Sequence, residues 1–405
     1  MSRSTDSVQQ SAPAGAEQVV EWGLSSYDPW DPRINSDNVW DLYRAMRAAA
    51  PAVHSDAHGG FWVLPRYADI KAAAADPATF CSGQGVVIGR TKAVPSIPID
   101  FDGPQHTVYR KAVQAPFLRS RVERFRDLVR SEVRQLLDHV AEAGSFDIAA
   151  DIAAPLPLKI ISEFLGITGE RQALHQQAAH DFVHADITTI AQAEEAYYTF
   201  LREEVRARGA GVGEDFISEL VRMDADGRPF EEREIVGMTR SLALAGHHTT
   251  IIGISSMLVR MADPELRARY LTHPETVQQV VEEALRIDPP IHLEARTTTR
   301  VVSVGDVEIP AGQKVALLYA SGNHDDAVYP EPERFDPSRR GPGYLTFGHG
   351  VHKCVGLYLS VLEMTVVLEE ILARFPDYHL VGERPRATML YGHHMAWGAI
   401  PAVTG

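Results

Sequence analysis

Cysteine is scarce in this chain, because its 405 residues contain only Cys81 and Cys354. Two cysteines cannot build a disulfide framework, so the sequence predicts a cytoplasmic protein. The N-terminus, MSRSTDSVQQSAPAGAEQ, lacks the apolar run of a signal peptide or an anchor. We therefore expect a disordered tail over residues 1–20, followed by one domain over residues 21–405.

Long apolar runs and an excess of basic residues are also missing. The longest apolar stretches are interrupted by charges or histidines, so no transmembrane span is expected. The formal net charge of −15, with 39 Lys and Arg against 54 Asp and Glu, argues against a general nucleic-acid binder. No Gly/Ser linker, low-complexity block or internal repeat divides the chain. The sequence thus predicts a soluble protein with no nucleic-acid or membrane partner.

Strand-like segments are few, whereas helical periodicity dominates residues 122–285. Short strands are predicted at GGFWVLP (59–65) and as a hairpin at SVGDVEIPAG (303–312). An apolar helix over residues 231–261 would span roughly 45 Å and lie in the core. A second helix, in HPETVQQVVEEALRIDPP (273–290), should end before its double proline. The predicted fold class is mainly α with small β-sheets.

Cys354 lies in the segment FGHGVHKCVG (347–356), which we call the cysteine loop. Its glycines permit positive φ and a close approach to a flat ligand. A sulfur at the start of the next helix gains from the helix dipole, which favours the thiolate, and Phe347 would shield it from water. Such a nest suits an axial thiolate ligand of haem iron. Two alternatives remain: an inert buried cysteine, and a zinc site of His349, His352 and Cys354 that lacks a further Cys/His pair.

Five segments of the chain, taken in order, resemble those of the cytochrome P450 monooxygenases. The cysteine loop meets F-G-x-G-x-H-x-C-x-G at every fixed position, and it follows HTVYR (106–110), AGHHTT (245–250), EALR (283–286) and EARTTTR (294–300). The resemblance implies the cytochrome P450 fold, a single large helical domain around a buried haem b, with residues 21–405 as the catalytic domain. It also implies that Cys354 is the thiolate ligand of the iron.

The same resemblance assigns residues around the haem. They are His106, Arg110, Arg296 and His352 for the propionates, and Phe347 and Gly348 beside the thiolate. His106 and Arg110 lie at i and i+4, so both could reach one edge of the ring. Arginine suits a propionate because it can bond a carboxylate bidentately. The alternative for Arg110 is an ordinary solvated surface charge.

A buried ion pair is implied by EALR, in which Glu283 and Arg286 lie at i and i+3. Such a pair needs further partners to offset its desolvation, and Arg334 of PERF is the expected third member. We assign this trio a structural role. It would hold the segment PERFDPSRR (332–340), and thereby the cysteine loop, in place.

The long central helix, whose segment AGHHTT resembles the family's oxygen-binding kink, carries the implied catalytic residues. Ala245 and Gly246 are small enough to leave room for dioxygen, and Thr249 shares the face of Ala245 one turn later. The threonine hydroxyl would donate to dioxygen and organise proton delivery, unless it bonds back to its own helix. His248 stands where the family usually has Asp or Glu. Its imidazole could still relay protons, or it could point away and make an ordinary hydrogen bond.

The implied substrate is a hydrophobic small molecule, such as a terpenoid, aromatic or macrolide-type metabolite. The expected pocket residues are Ala245, Ile291, His292, Leu293 and Met395. Electrons would come from a separate ferredoxin and its reductase, and YRK (109–111), RSR (119–121) and Lys353 form a basic patch for an acidic ferredoxin. Alternative functions are peroxide-driven or oxidative-coupling chemistry on the same fold, or a haem sensor or carrier.

Overall fold

The computed structural model describes residues 16–89, 94–183, 189–209, 213–272, 276–383, 385–390 and 392–405. Its helices are α1 (Ala16–Ser26), α2 (Val39–Ala49), α3 (Tyr67–Ala75), α4 (Gly103–Gln114), α5 (Arg119–Val122), α6 (Arg126–Ala143), α7 (Pro155–Leu165), α8 (Glu170–Val183), α9 (Ile190–Ala207), α10 (Phe216–Arg222), α11 (Glu232–Ala245), α12 (His248–Met261), α13 (Pro264–Thr272), α14 (Val277–Ile287), α15 (Tyr319–Asn323) and α16 (Leu357–Arg374). The strands are β1 (Val53–Ser55), β2 (Phe61–Leu64), β3 (Phe80–Cys81), β4 (Ser145–Asp147), β5 (Glu294–Thr298), β6 (Val302–Val304), β7 (Val307–Ile309), β8 (Lys314–Leu317), β9 (His379–Leu380), β10 (Ala387–Leu390), β11 (His394–Trp397) and β12 (Pro401–Val403). The prediction of a mainly α fold with small sheets is confirmed.

Four small sheets lie among the helices of the described chain. The largest has the strand order β1-β2-β8-β5-β3, in which β2 and β8 are parallel and the other pairs antiparallel. The predicted hairpin is formed by β6 and β7, with Val304 opposite Val307. The strand predicted in GGFWVLP is β2. The remaining sheets are β10-β11 and β4-β12-β9. Strand β5 carries Arg296 into the interior, where the functional site is built.

The long central helix is divided into α11 and α12 by a break at Gly246 and His247. The N–H of Gly246 still donates to the carbonyl of Leu242, at 3.0 Å, but His247 leaves the helical conformation with φ −96° and ψ −80°. The break falls inside AGHHTT, the segment matched to the family's oxygen-binding kink. A single straight helix over residues 231–261 is therefore not what the chain forms.

By length and apolar composition alone, Glu232–Met261 could cross a membrane. Most of this stretch is buried inside the protein, which is the usual place of a core helix in a soluble protein. Helix α12 lies against α14 and α16. At Gly253 the helix lies close to α16, since a Cβ at this glycine would come within 3.1 Å of the Met364 sulfur. This close packing fixes α12 relative to α16, the helix that follows the cysteine loop.

The predicted boundary of the N-terminal tail needs a correction. Helix α1 begins at Ala16, and Val19 is completely buried with Tyr27 in a core cluster. Residues 16–20 therefore belong to the folded domain, because the apolar face of this short helix is covered by α2 and β1. Residues 1–15 of the predicted tail lie outside the described residues.

Candidate active site

The cysteine loop is held closely against helix α3. Gly348 and Gly350 adopt φ of +67° and +72°, a region that favours glycine. At Gly350 a Cβ would lie 2.3 Å from the carbonyl oxygen of Ala74 on α3. The N–H of Cys354 donates to the carbonyl of Phe347 at 2.8 Å and closes the loop. The predicted need for glycine is thus met by a backbone contact as well as by backbone conformation.

Cys354 has exposed side-chain surface although protein atoms surround it on its other sides. Burial raises the pKa of its thiol, and the backbone N–H groups of Gly356 and Leu357 and the charge of Arg110 act in the opposite direction. The start of α16 therefore does not by itself produce a thiolate. A bound metal ion would, because coordination displaces the thiol proton.

The zinc alternative finds no support in the geometry. Among the residues that the structure describes, no group of three or more His, Cys, Asp or Glu side chains is arranged to hold a metal ion. His349 lies near two lysines instead, and burial together with the charges of Lys71 and Lys353 lowers its pKa. His352 points toward Asp102, with Nε2 3.5 Å from Oδ1.

Arginine and histidine side chains from three parts of the chain converge above the cysteine loop. They are His106 and Arg110 of α4, Arg296 of β5, and His352. The rings of His106 and His352 lie 4.2 Å apart, and the field of Arg296 acts on His352. Arg296 is 3% exposed, and its Nη2 is 3.5 Å from both Tyr319 Oη and Glu294 Oε2.

This cluster fits an anion. Nε2 of His106 is buried and has no hydrogen-bond partner among the described residues. Burial lowers the pKa of His106 and of Arg110, and burial with the charges of Arg296 and His106 lowers the pKa of His352 to about 4. The carboxylate of Asp102 is already engaged by the N–H groups of Ser82 and Gly83. Buried donors of this kind need an anionic partner, and the two propionates of a haem supply one.

Ala245, the last residue of α11 before the break, is exposed although its helix is largely buried. The Thr249 hydroxyl donates to the Ala245 carbonyl oxygen at 2.8 Å, which is the back-bonding alternative for a helical threonine. Its oxygen keeps lone pairs that can accept a further hydrogen bond. Gly246 lies against Ile161 of α7, where a Cβ would be 3.5 Å from the nearest side-chain atom.

His248 is half-buried at the start of α12. Its ring lies 4.6 Å from that of His247, and it faces His394 of β11. Burial, with the charges of His393, His248 and His292, holds the pKa of His394 well below its usual range. The lowered pKa of His394 favours its neutral imidazole.

The predicted ion pair is present, and its members are among the most deeply buried charges in the described chain. Both hydrogen bonds between Arg286 and Glu283 measure 2.8 Å, and Arg286 also donates to the carbonyl of Asn323 at 2.8 Å. The N–H of Asp336 donates to Glu283 Oε1 at 3.0 Å, which ties the 332–340 segment to α14.

The prediction of Arg334 as the third member is wrong. Its side chain is 60% exposed and pairs with Glu331, three residues earlier. Arg339 takes the place instead, with Nε 3.4 Å from Glu283 Oε1, and it also donates to the carbonyls of Pro330, Glu331 and Arg334. The Asp336 carboxylate accepts a hydrogen bond from the N–H of Ser338, which forms a turn. This turn directs Arg339 toward Glu283.

Three of the predicted pocket residues are buried in the core. His292 and Leu293 are fully buried and Met395 is 6% exposed, and the last two belong to a cluster with Tyr27. Their prediction as an open pocket wall is wrong. His292 turns away because its Nδ1 makes a 2.9 Å hydrogen bond with the Tyr43 hydroxyl. Ile291, like Ala245, keeps accessible surface.

Sequence reasoning missed two further residues at the site besides Arg339. Asp102 precedes α4, a position usual for a capping residue, yet its carboxylate reaches the loop after β3 instead. Tyr319 places its hydroxyl beside Arg296, and burial raises its pKa to about 12. The Asp102 position before a helix was a usable signal, whereas nothing in the local sequence singles out Tyr319.

Comparison with known proteins agrees with this geometry. A sequence profile described as Cytochrome P450 matches residues 176–379. The cyclomarin C epoxidase CymV of Salinispora arenicola is 32% identical over 353 residues, which cover 84% of this chain and 89% of that protein. The erythromycin C-12 hydroxylase of Saccharopolyspora erythraea is 36% identical over 349 residues, covering 83% and 86%. A solved structure of a mutant of P450 EryK in complex with erythromycin B is similar with a TM-score of 0.81 and 31% identity, over 90% of this chain and 95% of that chain.

These relatives cover most of both sequences, and the similar structure shows the same fold. Membership of their family implies a haem held by a cysteine thiolate. The relatives' names describe an epoxidase and a hydroxylase, which are monooxygenase reactions. The chain therefore belongs to the cytochrome P450 family and is a monooxygenase of that family.

Proposed function

We propose that this monooxygenase binds haem b through Cys354, activates dioxygen and inserts one oxygen atom into a hydrophobic small molecule. The observation that carries the proposal is the cluster of arginine and histidine donors beside the cysteine loop, in which His106 and Arg296 are buried. A haem bound there supplies an iron that accepts electrons and reduces dioxygen. His106, Arg110, Arg296 and His352 hold its carboxylates, and the loop holds its sulfur ligand.

The remaining roles belong to the break between α11 and α12. Ala245 exposes only a methyl group, which leaves space for dioxygen. The Thr249 oxygen can accept a hydrogen bond from a neighbouring water or imidazole, and its hydroxyl can pass on its own proton when it turns away from the Ala245 carbonyl. We propose His248, the residue before Thr249, as that imidazole. None of these residues is itself oxidised or reduced. Ala245 leaves space for dioxygen, and Thr249 and His248 hold or move protons.

The substrate class follows from the accessible apolar surface and from the relatives. Ala245 and Ile291 present apolar side chains to open space. The relatives named above are an epoxidase named for cyclomarin C and a C-12 hydroxylase named for erythromycin. We propose a terpenoid, aromatic or macrolide-type metabolite as the substrate, bound largely by apolar contacts. The reactions that supply this substrate must therefore build a hydrophobic scaffold, and that scaffold must still lack the oxygen atom that this enzyme adds.

A direct test uses purified protein with a ferredoxin, its reductase and a nicotinamide cofactor. Compounds that shift the Soret band are selected from a metabolite library and then incubated with ¹⁸O₂. We expect a product that carries one ¹⁸O atom, formed only with the complete electron-transfer system. A second arm replaces dioxygen and donor by peroxide. Efficient turnover in this arm alone would favour the peroxide-driven alternative, and selected ligands that give no product in either arm would favour a carrier or sensor.

The proposed docking face for the electron donor surrounds the cysteine loop. Lys111, Arg119 and Lys353 are exposed and make no ion pair among the described residues. Exposed apolar side chains lie beside them, namely Leu118, Val351 and Tyr358. Apolar contacts bordered by basic residues fit an acidic ferredoxin. Arg121 contributes less than the sequence suggests, because it pairs with Glu219 at 3.0 Å.

We expect the double variant Lys111→Glu and Arg119→Glu to lower the apparent affinity for ferredoxin by about tenfold at low salt. The salt dependence of donor-driven turnover should flatten, because the attraction that salt screens has been removed. Peroxide-driven turnover should not change. Arg386→Glu, on an exposed arginine before β10, is the control. Equal donor kinetics in the double variant and the control would contradict the docking face.

Thr249→Val should keep the shape of the side chain and remove its hydroxyl. We expect product formed per reductant consumed to fall on the order of tenfold, with the lost reductant recovered as peroxide. Thr250→Val is the matched control, since Thr250 is buried and one residue later.

His248→Ala should be slow and His248→Glu should recover activity if the imidazole relays protons. A His248→Ala protein with the parent rate, coupling and pH profile would make His248 a bystander.

A further inference from the structure

The carboxylate of Glu234, in the first turn of α11, joins three parts of the chain. It accepts a 2.8 Å hydrogen bond from the Tyr109 hydroxyl of α4, 125 residues earlier. It also accepts two bonds of 2.7 Å from the guanidinium of Arg228, which lies in the turn before α11. A fourth bond, of 2.8 Å, comes from the N–H of Glu231. We call these four residues the Glu234 cluster.

The cluster is closed to solvent on the side of α4. Tyr109 is 4% exposed and Glu234 is 5% exposed. The ring of Tyr109 contacts Phe101 edge to face, with centroids 5.2 Å apart, and Phe230 at 6.1 Å. Arg228 is half exposed and meets the carboxylate from the solvent side. A carboxylate buried this deeply needs all of its donors, because an unpaired buried charge is costly.

The donor and the acceptor in the bond between Tyr109 and Glu234 are fixed by their surroundings. The hydrogen bonds from Arg228 lower the pKa of Glu234 to about 2, so its carboxylate is ionised at neutral pH. Burial, followed by the hydrogen bond to Glu234, raises the pKa of Tyr109, so the phenol keeps its proton. The bond therefore has an ionised acceptor, which makes it stronger than a bond between neutral groups.

This bond is the polar anchor of α4. Among the described residues, it is the only side-chain hydrogen bond that joins α4 to another helix, since the side-chain bonds of Gln105, Thr107 and Arg110 stay within α4. Apolar contacts of Ala112 and Val113 hold the other end of the helix in the core. The first two turns of α4 are therefore fixed by this bond and by the residues that precede the helix.

The two residues of α4 that are assigned to the propionates lie beside this anchor. His106 is one turn before Tyr109 on the same helix face, and Arg110 is the next residue after it. A helix moves as a unit over such a short distance, so a displacement of Tyr109 displaces both of them. Side chains that hold a ligand depend on neighbours that fix their position. Glu234 provides such a neighbour from another helix.

Resting on the function proposed above, we propose that Glu234 is a positioning residue for haem binding. Through the Tyr109 hydroxyl it holds α4 against the start of α11, and so keeps His106 and Arg110 in place for the propionates. Arg228 acts less directly, because it holds the carboxylate to which Tyr109 donates. Helix α11 leads from this cluster to the break, so the cluster also fixes the propionate-binding helix relative to the break.

The test removes the hydroxyl and leaves the ring. Tyr109→Phe keeps the ring contacts of the parent, and Arg228→Gln breaks the ion pair while Tyr109 can still donate to Glu234. A double variant combines the two changes. Tyr378→Phe is the matched control, because Tyr378 is fully buried, donates to the Leu258 carbonyl at 2.7 Å and takes no part in the candidate site.

Haem release is measured as the rate of transfer from the ferric protein to excess apomyoglobin. Haem should leave Tyr109→Phe on the order of tenfold faster than the parent, and Tyr378→Phe should keep the parent rate. The resonance Raman band of propionate bending should shift in Tyr109→Phe and not in the control, while the urea midpoints of these two variants should be similar. Arg228→Gln should release haem faster by a smaller factor. The double variant should match Tyr109→Phe alone, because Arg228 acts through that bond.

The opposite results overturn the inference. One is a Tyr109→Phe protein that releases haem no faster than the control. Another is an unchanged propionate band, or release that rises only in proportion to a lower urea midpoint, since either result would show a general loss of stability. Additive effects in the double variant would overturn it too, because Arg228 would then act independently of Tyr109. A parent protein that takes up no haem overturns the proposed function instead, and the parent shows this without the variants.

Discussion

Cys354→Ala abolishes the long-wavelength Soret band that the reduced, carbon-monoxide-bound protein shows when a thiolate is the axial ligand. This is the largest effect that we expect from a single substitution, because no other sulfur lies in the loop. The cluster of His106, Arg110, Arg296 and His352 remains in this variant, so some haem should still bind. The expected protein therefore contains haem with an altered spectrum and no donor-driven turnover.

Cys81→Ala is the matched control for this prediction. Cys81 lies on β3, opposite Thr297 of β5, and burial followed by the charge of Asp102 raises the pKa of its thiol. A neutral thiol of this kind packs as a small apolar side chain. Its replacement should leave the Soret band and turnover at parent values. A band that survives in Cys354→Ala and disappears in Cys81→Ala would reverse the ligand assignment.

The parts of the site that could be predicted from the sequence are those fixed by short contiguous segments. The cysteine loop and the pair Glu283 and Arg286 each lie within a few residues, so their geometry follows from local backbone structure. The interruption of the central helix is also local, since it falls at Gly246 and His247 within the matched segment. For such features, the order of residues along the chain determines which side chains can meet.

The parts that could not be predicted depend on contacts between distant segments. Arg334 and Arg339 lie five residues apart in one irregular segment, and only the turn at Asp336 decides which of them faces Glu283. His292 lies in an extended stretch whose direction is set by the Tyr43 hydroxyl, some 250 residues earlier. Sequence periodicity has no information on either choice, because neither segment is a regular helix or strand.

The protonation states of Cys354 and His352 could not be predicted from the sequence either. The sequence favours a thiolate at Cys354 from its place before a helix, whereas burial in the folded chain raises the pKa of the thiol. The balance between a helix terminus and desolvation depends on how many protein atoms surround the sulfur, which only the folded structure shows. The same holds for His352, whose lowered pKa results from burial and from the charges of Arg296 and His106.

The second large effect is expected at the buried ion pair. Arg286 and Glu283 have side chains 3% and 5% exposed, so Arg286→Ala leaves a carboxylate buried without its bidentate partner. Breaking such a pair costs about 3–5 kcal/mol of unfolding free energy. Glu283 also accepts from the Asp336 N–H and from Arg339, so any shift of the unpaired Glu283 side chain also loosens the 332–340 segment. We expect a lower urea midpoint, incomplete haem incorporation and aggregation, rather than a well-folded but slow enzyme.

Two arginines of the 332–340 segment, Arg334 and Arg339, provide graded controls for Arg286→Ala. Arg334→Ala removes an exposed pair with Glu331 and should cost no more than about 1 kcal/mol. Arg339→Ala removes a largely buried side chain that contacts Glu283 and three backbone carbonyls, so its cost should lie between the two. Arg286→Lys should rescue poorly, because an ammonium group cannot reproduce the two parallel bonds to Glu283 and the third to Asn323. The measurement is the urea midpoint and the haem content of all four proteins beside the parent. A soluble, fully haem-loaded Arg286→Ala protein, with the same midpoint as Arg334→Ala, would show that the pair does not hold this part of the fold together.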